Sequence, residues 1–389
     1  MIAVVADDFT GAAELAAIGH RIGLSTRIHL GARDGSCSDL TVVDTDSRSD
    51  PPERAREKVA AACRFLQANG IDKVYKKVDS ALRGQILPEV ETLAAGLGRE
   101  RVLLAPANPS LGRLIENETL TIDGCPIDAT AFADDPEFPA KTAEVLSLLG
   151  RSDGGPIAYR KVGATLPGNG TVITEIRSLE DLDQWAGEVD ARTLPAGGAE
   201  FFRAVLKQYG VAPSEKPDTF DCAPFLHGRR LFISGSATAN RKEVLEKMRA
   251  RGCAVVSMPG ELMAVDQAGP ALDQWADAVQ EAFSLSRTVC AAIGQPISRN
   301  NRIPARLCNH MTGLVKRVLP GQSVEAIFLE GGATASAIAR GLDWRVLEVT
   351  REWALGVVSL RIIHAIGPGI TIKPGSYHWP EALWESGRP

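Results

Sequence analysis

Short apolar runs bounded by Gly, Asp or Ser alternate along this chain with longer segments of helical period, and that alternation narrows the fold to a sheet covered by helices. The first instance is a strand at 2–6, a loop at 7–11 and a helix at 12–22 stopped by Gly23. Further strands are expected at 40–43, 73–76 and 102–104, with helices at 51–68 and 88–97 between them. From 123 to 217 the pattern is less regular, with helices expected at 138–149 and 179–185. Residues 207–228 mix Pro213, Pro217 and Pro224 with several charges and read as an interdomain linker. A second series follows, with strands at 231–234, 253–258 and 325–329 and helices at 240–250, 273–286, 305–318 (interrupted at Gly313) and 334–340. At 389 residues the chain exceeds what one hydrophobic core organises. The expected architecture is therefore α/β with two domains, 1–226 and 227–389, each a doubly wound sheet with helices on both faces, and an active site in the interdomain cleft.

Charge and cysteine usage remove several classes of function. A net charge of -5 argues against nonspecific duplex binding, which rests on clustered basic charge. No apolar stretch approaches the roughly 18 residues that span a bilayer, and the opening Met1-Ile-Ala-Val-Val5 lacks the basic and long apolar regions of a secretory leader. The seven cysteines are scattered with no CxxC pair, so a reduced, cytoplasmic protein without a zinc site is expected. The six histidines show no metal spacing.

Three loops in the N-terminal half carry chemistry. Asp7-Asp8-Phe9-Thr10-Gly11 follows a strand and opens a helix, which places it at the carboxyl edge of the sheet where α/β ligands bind. Successive residues there point oppositely, so one aspartate faces the ligand while the other caps the helix. Asp44-Thr45-Asp46-Ser47-Arg48-Ser49 follows the strand at 40–43 and brings hydroxyls, carboxylates and a guanidinium to the same edge. Arginine's planar fork matches a carboxylate, although the same residues also suit an ordinary turn. Lys76-Lys77-Val78-Asp79-Ser80-Ala81-Leu82-Arg83-Gly84 packs cations around one carboxylate, with Lys77 and Arg83 suited to an anion and Asp79 to a hydroxyl that loses its proton. A fourth loop, Ala105-Pro106-Ala107-Asn108-Pro109, adds polar backbone, and Gly112-Arg113 follows closely.

In the C-terminal half, Ser234-Gly235-Ser236 and Glu330-Gly331-Gly332-Ala333-Thr334 each join a strand to a helix start, a geometry that exposes backbone N–H groups to phosphate. The stretch Ile370-Thr-Ile-Lys373-Pro374-Gly375-Ser376-Tyr377 adds a strand, a lysine able to reach a polyphosphate and a glycine turn. The Walker, dinucleotide and protein-kinase signatures are absent.

Together, Asp7-Asp8-Phe9-Thr10-Gly11 and Lys77-Val78-Asp79-Ser80-Ala81-Leu82-Arg83-Gly84 resemble the Asp-Asp-x-Thr-Gly and Lys-x-Asp-Ser-x-x-Arg-Gly motifs of the four-carbon acid sugar kinase family. The resemblance continues through Asp46-Ser47-Arg48 and Ala105-Pro106-Ala107 and resumes in the second half. It implies two α/β domains, transfer of the γ-phosphate of ATP with Mg²⁺, and a substrate such as threonate, erythronate or 3-oxo-tetronate. By position it implies Asp7, Thr10, Arg48, Lys77, Ser80, Arg83 and Gly84 around the sugar, with Asp8 or Asp79 accepting the hydroxyl proton. It likewise implies Ser234, Gly235, Ser236, Gly331, Gly332, Thr334, Lys373, Gly375 and Ser376 around the nucleotide. The partners implied are the acid sugar and ATP, with no nucleic acid and no membrane; a homodimer is left open. The chain departs from the family at Ala333, where an aspartate is usual, at 353–358 in place of a Pro-Gly-rich loop, at 373–378 in place of a glycine-rich run, and at Ala81 in place of threonine. These departures leave the metal ligands unknown and motivate a rival reading, a catalytically weakened regulator that binds nucleotide and sugar acid. A dehydrogenase is a poorer rival, because paired aspartates beside the lone Gly11 would repel a pyrophosphate.

Overall fold

The computed structural model describes the chain except residues 33–34, 136, 213–219, 236–240, 267–268, 295–302, 376 and 385–389. The chain divides into two compact units, Met1–Glu215 and Lys216–Pro389.

The first unit contains β1 (Ile2–Ala6), α1 (Phe9–Arg21), β2 (Thr26–Leu30), β3 (Leu40–Asp44), α2 (Pro52–Ala68), β4 (Lys73–Lys77), α3 (Ile86–Gly96) and β5 (Arg101–Ala105). An antiparallel trio follows, β6 (Arg113–Glu116), β7 (Thr119–Ile122) and β8 (Cys125–Pro126), and then α4 (Val145–Leu149), β9 (Ile157–Arg160), β10 (Gly170–Thr174), α5 (Leu179–Gly187), β11 (Thr193–Gly197) and α6 (Ala199–Gln208). The main sheet of this unit runs β2-β3-β1-β4-β11-β5-β10-β9 with parallel pairing throughout. Strands β1 and β3 are buried along their whole length, as unbroken apolar runs covered on two faces should be. Alternation along β4 shows those faces directly: Lys76 reaches Glu89 on α3, whereas its neighbour Lys77 lies near Glu14 on α1.

The second unit contains α7 (Ala223–Leu226), β12 (Arg230–Ser234), α8 (Arg241–Ala250), β13 (Ala254–Ser257), α9 (Gly269–Leu285), β14 (Thr288–Ala292), α10 (Ile303–Gly321), β15 (Ala326–Glu330), α11 (Gly332–Gly341), β16 (Val346–Ala354), β17 (Val357–Ile362) and β18 (Gly369–Lys373). Its strands run β13-β14-β12-β15-β18-β17-β16, parallel as far as β18 and antiparallel beyond it. Its core is aromatic: Phe232 stacks on Phe328 at 4.3 Å and on Trp384 at 5.2 Å, and Trp379 meets both phenylalanines edge-on.

Several expectations change. The division falls at Glu215 rather than at residue 226, because the segment expected to link the domains contributes Phe225, 5% exposed, to the aromatic core of the second unit. The helix expected at 138–149 shrinks to Val145–Leu149, since the Asp135 carboxylate holds the amides of Glu137 and Phe138 in a turn and Glu144 bridges to Thr119. Helix α10 runs unbroken through Gly313; one interior glycine costs about 1 kcal/mol, which packing on α9 and α11 outweighs. Helix α1 begins at Phe9, three residues earlier than expected, because Asp8 is its cap. Among the described residues, no helix is long and apolar enough to cross a membrane.

Candidate functional site

In the first unit the chain leaves β1 toward β2 and β3 and later returns on its other side as β4, so the strand order reverses around β1. The crevice at the carboxyl ends of such strands is where open α/β sheets bind ligands. The loops after β1, β3 and β4 meet there, and they carry the aspartates, arginines and lysine singled out in the sequence.

Arg48 is the hub. Its Nε donates to Asp7 Oδ2 at 2.7 Å and its Nη2 to Asp7 Oδ1 at 3.1 Å, while Nη1 donates to Asp8 Oδ2 at 3.1 Å and lies 3.8 Å from Asp79 Oδ1. The amides of Ser47 and Arg48 both donate to the Asp7 carbonyl, so backbone and side chain lock the β1 and β3 loops together. Asp8 caps α1 by accepting the Gly11 amide at 2.9 Å and also accepts the Thr10 hydroxyl at 2.6 Å. Gly84 adopts φ +91°, and an added Cβ would lie 2.8 Å from Arg48 Cγ, so the loop after β4 closes on Arg48 only with glycine at this position.

Asp79 faces Arg83 bidentately, with Nε to Oδ2 at 2.8 Å and Nη2 to Oδ1 at 3.0 Å; Arg83 Nη1 reaches Asp135 at 3.0 Å. Ser80 accepts a hydrogen bond from Arg113 Nη1. Lys77 donates to the Val78 carbonyl at 2.8 Å and lies 3.9 Å from Glu14. Beneath this layer Lys76, fully buried, pairs with Glu89 at 2.7 Å; Glu89 also accepts the Ser47 hydroxyl at 2.6 Å, and Ser47 shares a hydrogen bond with Thr45.

These contacts set the protonation of the edge. Burial would raise the Asp79 carboxyl, but Arg48 and Arg83 overcome it and hold the acid far below its ordinary range. Asp7 is likewise buried and likewise held low, by Arg48 and Lys76. Glu14 goes the other way: burial raises it more than Lys77 lowers it. Both arginines hold their protons more tightly than usual despite burial, through the same aspartates.

The structure therefore gathers Asp7, Asp8, Thr10, Arg48, Lys77, Asp79, Ser80, Arg83 and Gly84 at one edge. One expectation changes in kind: the forks of Arg48 and Arg83 face protein carboxylates rather than an open crevice. Sequence reasoning missed Glu14, Glu89, Phe132 and Asp135. The lone acid in Ile86-Leu87-Pro88-Glu89-Val90 was a readable sign of a buried charge, whereas Phe132 and Asp135 reach the site from irregular chain that carries no periodic signal.

The second unit arranges its edge differently. Ser234, Glu330 and Lys373 close three adjacent parallel strands, and Glu330 takes the Ser234 hydroxyl at 2.9 Å on one oxygen and Lys373 at 2.9 Å on the other. Lys373 is 1% exposed, lies over the Trp379 ring at 5.1 Å, and is lowered from its ordinary value by burial against the pull of Glu330. The Gly331 amide donates to the Lys373 carbonyl, Gly332 opens α11, and among the described residues no side chain caps that helix. Thr334 packs so closely on Gly235 that an added Cβ there would sit 2.1 Å from its hydroxyl. Gly375 lies in the turn where the Tyr377 amide donates to the Pro374 carbonyl. Ser236 and Ser376 lie outside the described residues. Residues 353–358, where the family has a loop, are the end of β16, a turn at Leu355-Gly356 and the start of β17.

Among the described residues no group of three or more His, Cys, Asp or Glu is arranged to hold a metal. Glu330 has both oxygens engaged and Ala333 supplies none, so this donor set does not fit a resident Mg²⁺.

Residues 2–194 match the model of the sugar-binding N-terminal domain family. The chain is 23% identical over 385 residues to a D-erythronate kinase of Heliobacterium modesticaldum, covering 90% of this chain and 88% of that one. It is 24% identical over 394 residues to a D-threonate kinase of Salmonella typhimurium, with the same two coverages of 90% and 88%. A Haemophilus influenzae protein of known structure shares the fold, with a TM-score of 0.72 at 20% identity over 99% of this chain and 98% of that one. Residues 2–194 thus belong to the sugar-binding N-terminal domain family, with the aspartate and lysine–arginine motifs meeting at one sheet edge, and the chain is similar over most of its length to four-carbon acid sugar kinases.

Proposed function

We propose that the protein phosphorylates a hydroxyl of a small acid sugar of the threonate, erythronate or 3-oxo-tetronate class, with ATP as donor. The observation that carries this reading is the convergence of Asp7, Asp8 and Asp79 on one crevice, where Arg48 and Arg83 hold them in place as acceptors for hydroxyls and Lys77 lies close by. Nucleotide is assigned to the second unit, where α11 starts straight after the Gly331 turn and its first turn offers backbone N–H groups. Mg²⁺ enters with ATP as the metal–nucleotide substrate, held by the phosphates.

Of the two candidate bases we favour Asp8. Asp79 is clamped by two arginines and held far below its ordinary range, while the Asp8 side chain is the more exposed, at 20% against 10%. The hydroxyl proton would pass to an Asp8 oxygen as the γ-phosphoryl leaves ADP. Phosphoryl transfer asks mainly for positioning and charge neutralisation, so the fixed Arg48–Asp8 contact orients the acceptor rather than creating a strong base.

An ADP-coupled assay over aldonic and keto acids of this size tests the reading. Acid-dependent ADP release is expected, with turnover about 10²-fold lower in Asp8→Asn. Absence of release with every acid would overturn it. The engaged oxygens of Glu330 and the alanine at 333 favour a second reading, a binding protein of the same fold with weakened transfer. Calorimetric binding of ATP and acid without ADP release would select that one.

A further inference from the structure

The cations at the sugar edge are not equivalent. Arg48 spends its fork on Asp7 and Asp8, Arg83 spends its fork on Asp79 and Asp135, and Lys77 donates to a carbonyl with Glu14 nearby. Arg113 is the exception: among the described residues no carboxylate lies within ion-pair distance of it. It opens β6 directly after the loop that follows β5, and its amide donates to the Asn108 carbonyl at 3.2 Å, so the backbone anchors it at the carboxyl edge.

Two contacts orient its half-buried guanidinium without neutralising it. Nη1 donates to Ser80, inside the same motif that supplies Asp79 and Arg83, and the guanidinium carbon lies 5.8 Å from the centroid of Phe132. The same ring carries Arg83 at 5.2 Å. A guanidinium has five N–H donors, and one hydroxyl with one ring face leaves donors for a ligand. Its charge also reaches Glu14, where it acts with Lys77 to draw that buried carboxyl down. An aligned, unneutralised fork beside an acceptor-rich crevice is the arrangement that recognises a carboxylate in two parallel hydrogen bonds.

We propose that Arg113 binds the carboxylate of the acid sugar, with Ser80 and Phe132 fixing its plane, and that Arg48 and Arg83 are positioning residues that hold Asp7, Asp8 and Asp79. This deepens the acid-sugar reading and rests on it. The preference of the site for an acid over the neutral polyol of the same length then resides in Arg113, and in none of the motif residues.

Calorimetry on the full chain with threonate, erythronate and the neutral tetritols, repeated for Arg113→Met and Arg113→Lys, tests this. In Arg113→Met the acid should bind about 10²-fold more weakly, falling to the level of the tetritols, which should be unaffected. Arg113→Lys should restore part of the loss, and serves as the test should the methionine variant fail to fold. An Arg113→Met protein that still prefers the acid, or an Arg113→Lys protein that binds the acid as tightly as wild type and so needs no fork, would overturn the assignment alone. Unaltered protein that binds no four-carbon acid would overturn the acid-sugar reading and this assignment with it.

Discussion

Each unit buries a lysine near the carboxyl end of a parallel strand and satisfies it with a glutamate that also takes a serine hydroxyl. In the first, Lys76 on β4 meets Glu89, which accepts from Ser47; in the second, Lys373 on β18 meets Glu330, which accepts from Ser234. The difference lies in where the glutamate sits. Glu89 belongs to α3, below the loops, so the triad props the crevice while a separate set of charges lines it. Glu330 ends a strand beside Ser234 and leads straight into the Gly331 turn, so there the triad and the proposed phosphate edge are the same residues. A crevice whose support and lining are separate can vary its lining freely, whereas an edge that combines them must give up an internal contact to make an external one.

Removing the lysines should expose that difference most strongly. Lys76→Met leaves Glu89 buried and unpaired and should cost the first unit about 3–5 kcal/mol, read by hydrogen exchange of β4 and α3 peptides through a urea titration. It should leave the thermal shift produced by ATP unchanged. Lys373→Met should destabilise the second unit by a similar mechanism and also abolish most of that shift. An ATP shift that survives Lys373→Met would remove the lysine from the nucleotide site.

The same contrast explains what was legible in the sequence. Strands β1, β3, β4 and β12 and the loops after them could be read because apolar runs end there in residues whose chemistry has few other uses, such as Asp7-Asp8 and the Lys77 to Gly84 run. Strands β9 to β11 and the antiparallel trio escaped, since short strands among prolines and glycines carry no decisive period. The side chains at 48 and 83 were identified correctly as belonging to the edge, but the direction of their forks depends on which aspartates the topology brings opposite, and no spacing along the chain encodes that. In the second unit glycine turns speak weakly, because Gly235 is required by the Thr334 side chain, ninety-nine positions away in sequence.

Acid should also separate the units. His29 on β2 is 1% exposed beside Phe65, its Nε2 has no partner among the described residues, and burial, aided by Arg27, lowers its pKa from 6.5 to about 4. A histidine held neutral in the folded state contributes stability that is fully present above its unfolded pKa and is lost as pH falls toward the folded one. His29 should therefore withdraw about 3 kcal/mol from the first unit between pH 6.5 and 4, while the Glu14 and Glu89 carboxyls, raised by burial, work in the opposite direction. Below that, the depressed carboxyls of Asp7 and Asp79 continue the loss, because their contribution exists only while they are ionised. His29→Leu should flatten the upper window and leave the lower one; an unchanged slope from pH 6.5 to 4 would assign the loss elsewhere.

The serines provide the smallest and most discriminating test. Ser47→Ala deprives Glu89 of a donor deep under the loops and breaks the shared hydrogen bond with Thr45, so a loss of about 2 kcal/mol is expected in urea titrations. Ser234→Ala removes one donor from Glu330, whose other oxygen keeps Lys373, and should cost about 1 kcal/mol. If the second edge truly doubles as a phosphate site, loosening Glu330 in this way frees part of the Lys373 charge for the nucleotide, so Ser234→Ala should enlarge the stabilisation by ATP while Ser47→Ala leaves it alone. Equal costs and equal ATP responses in the two variants would mean that the two triads are structural alike, and that the nucleotide is held by backbone alone.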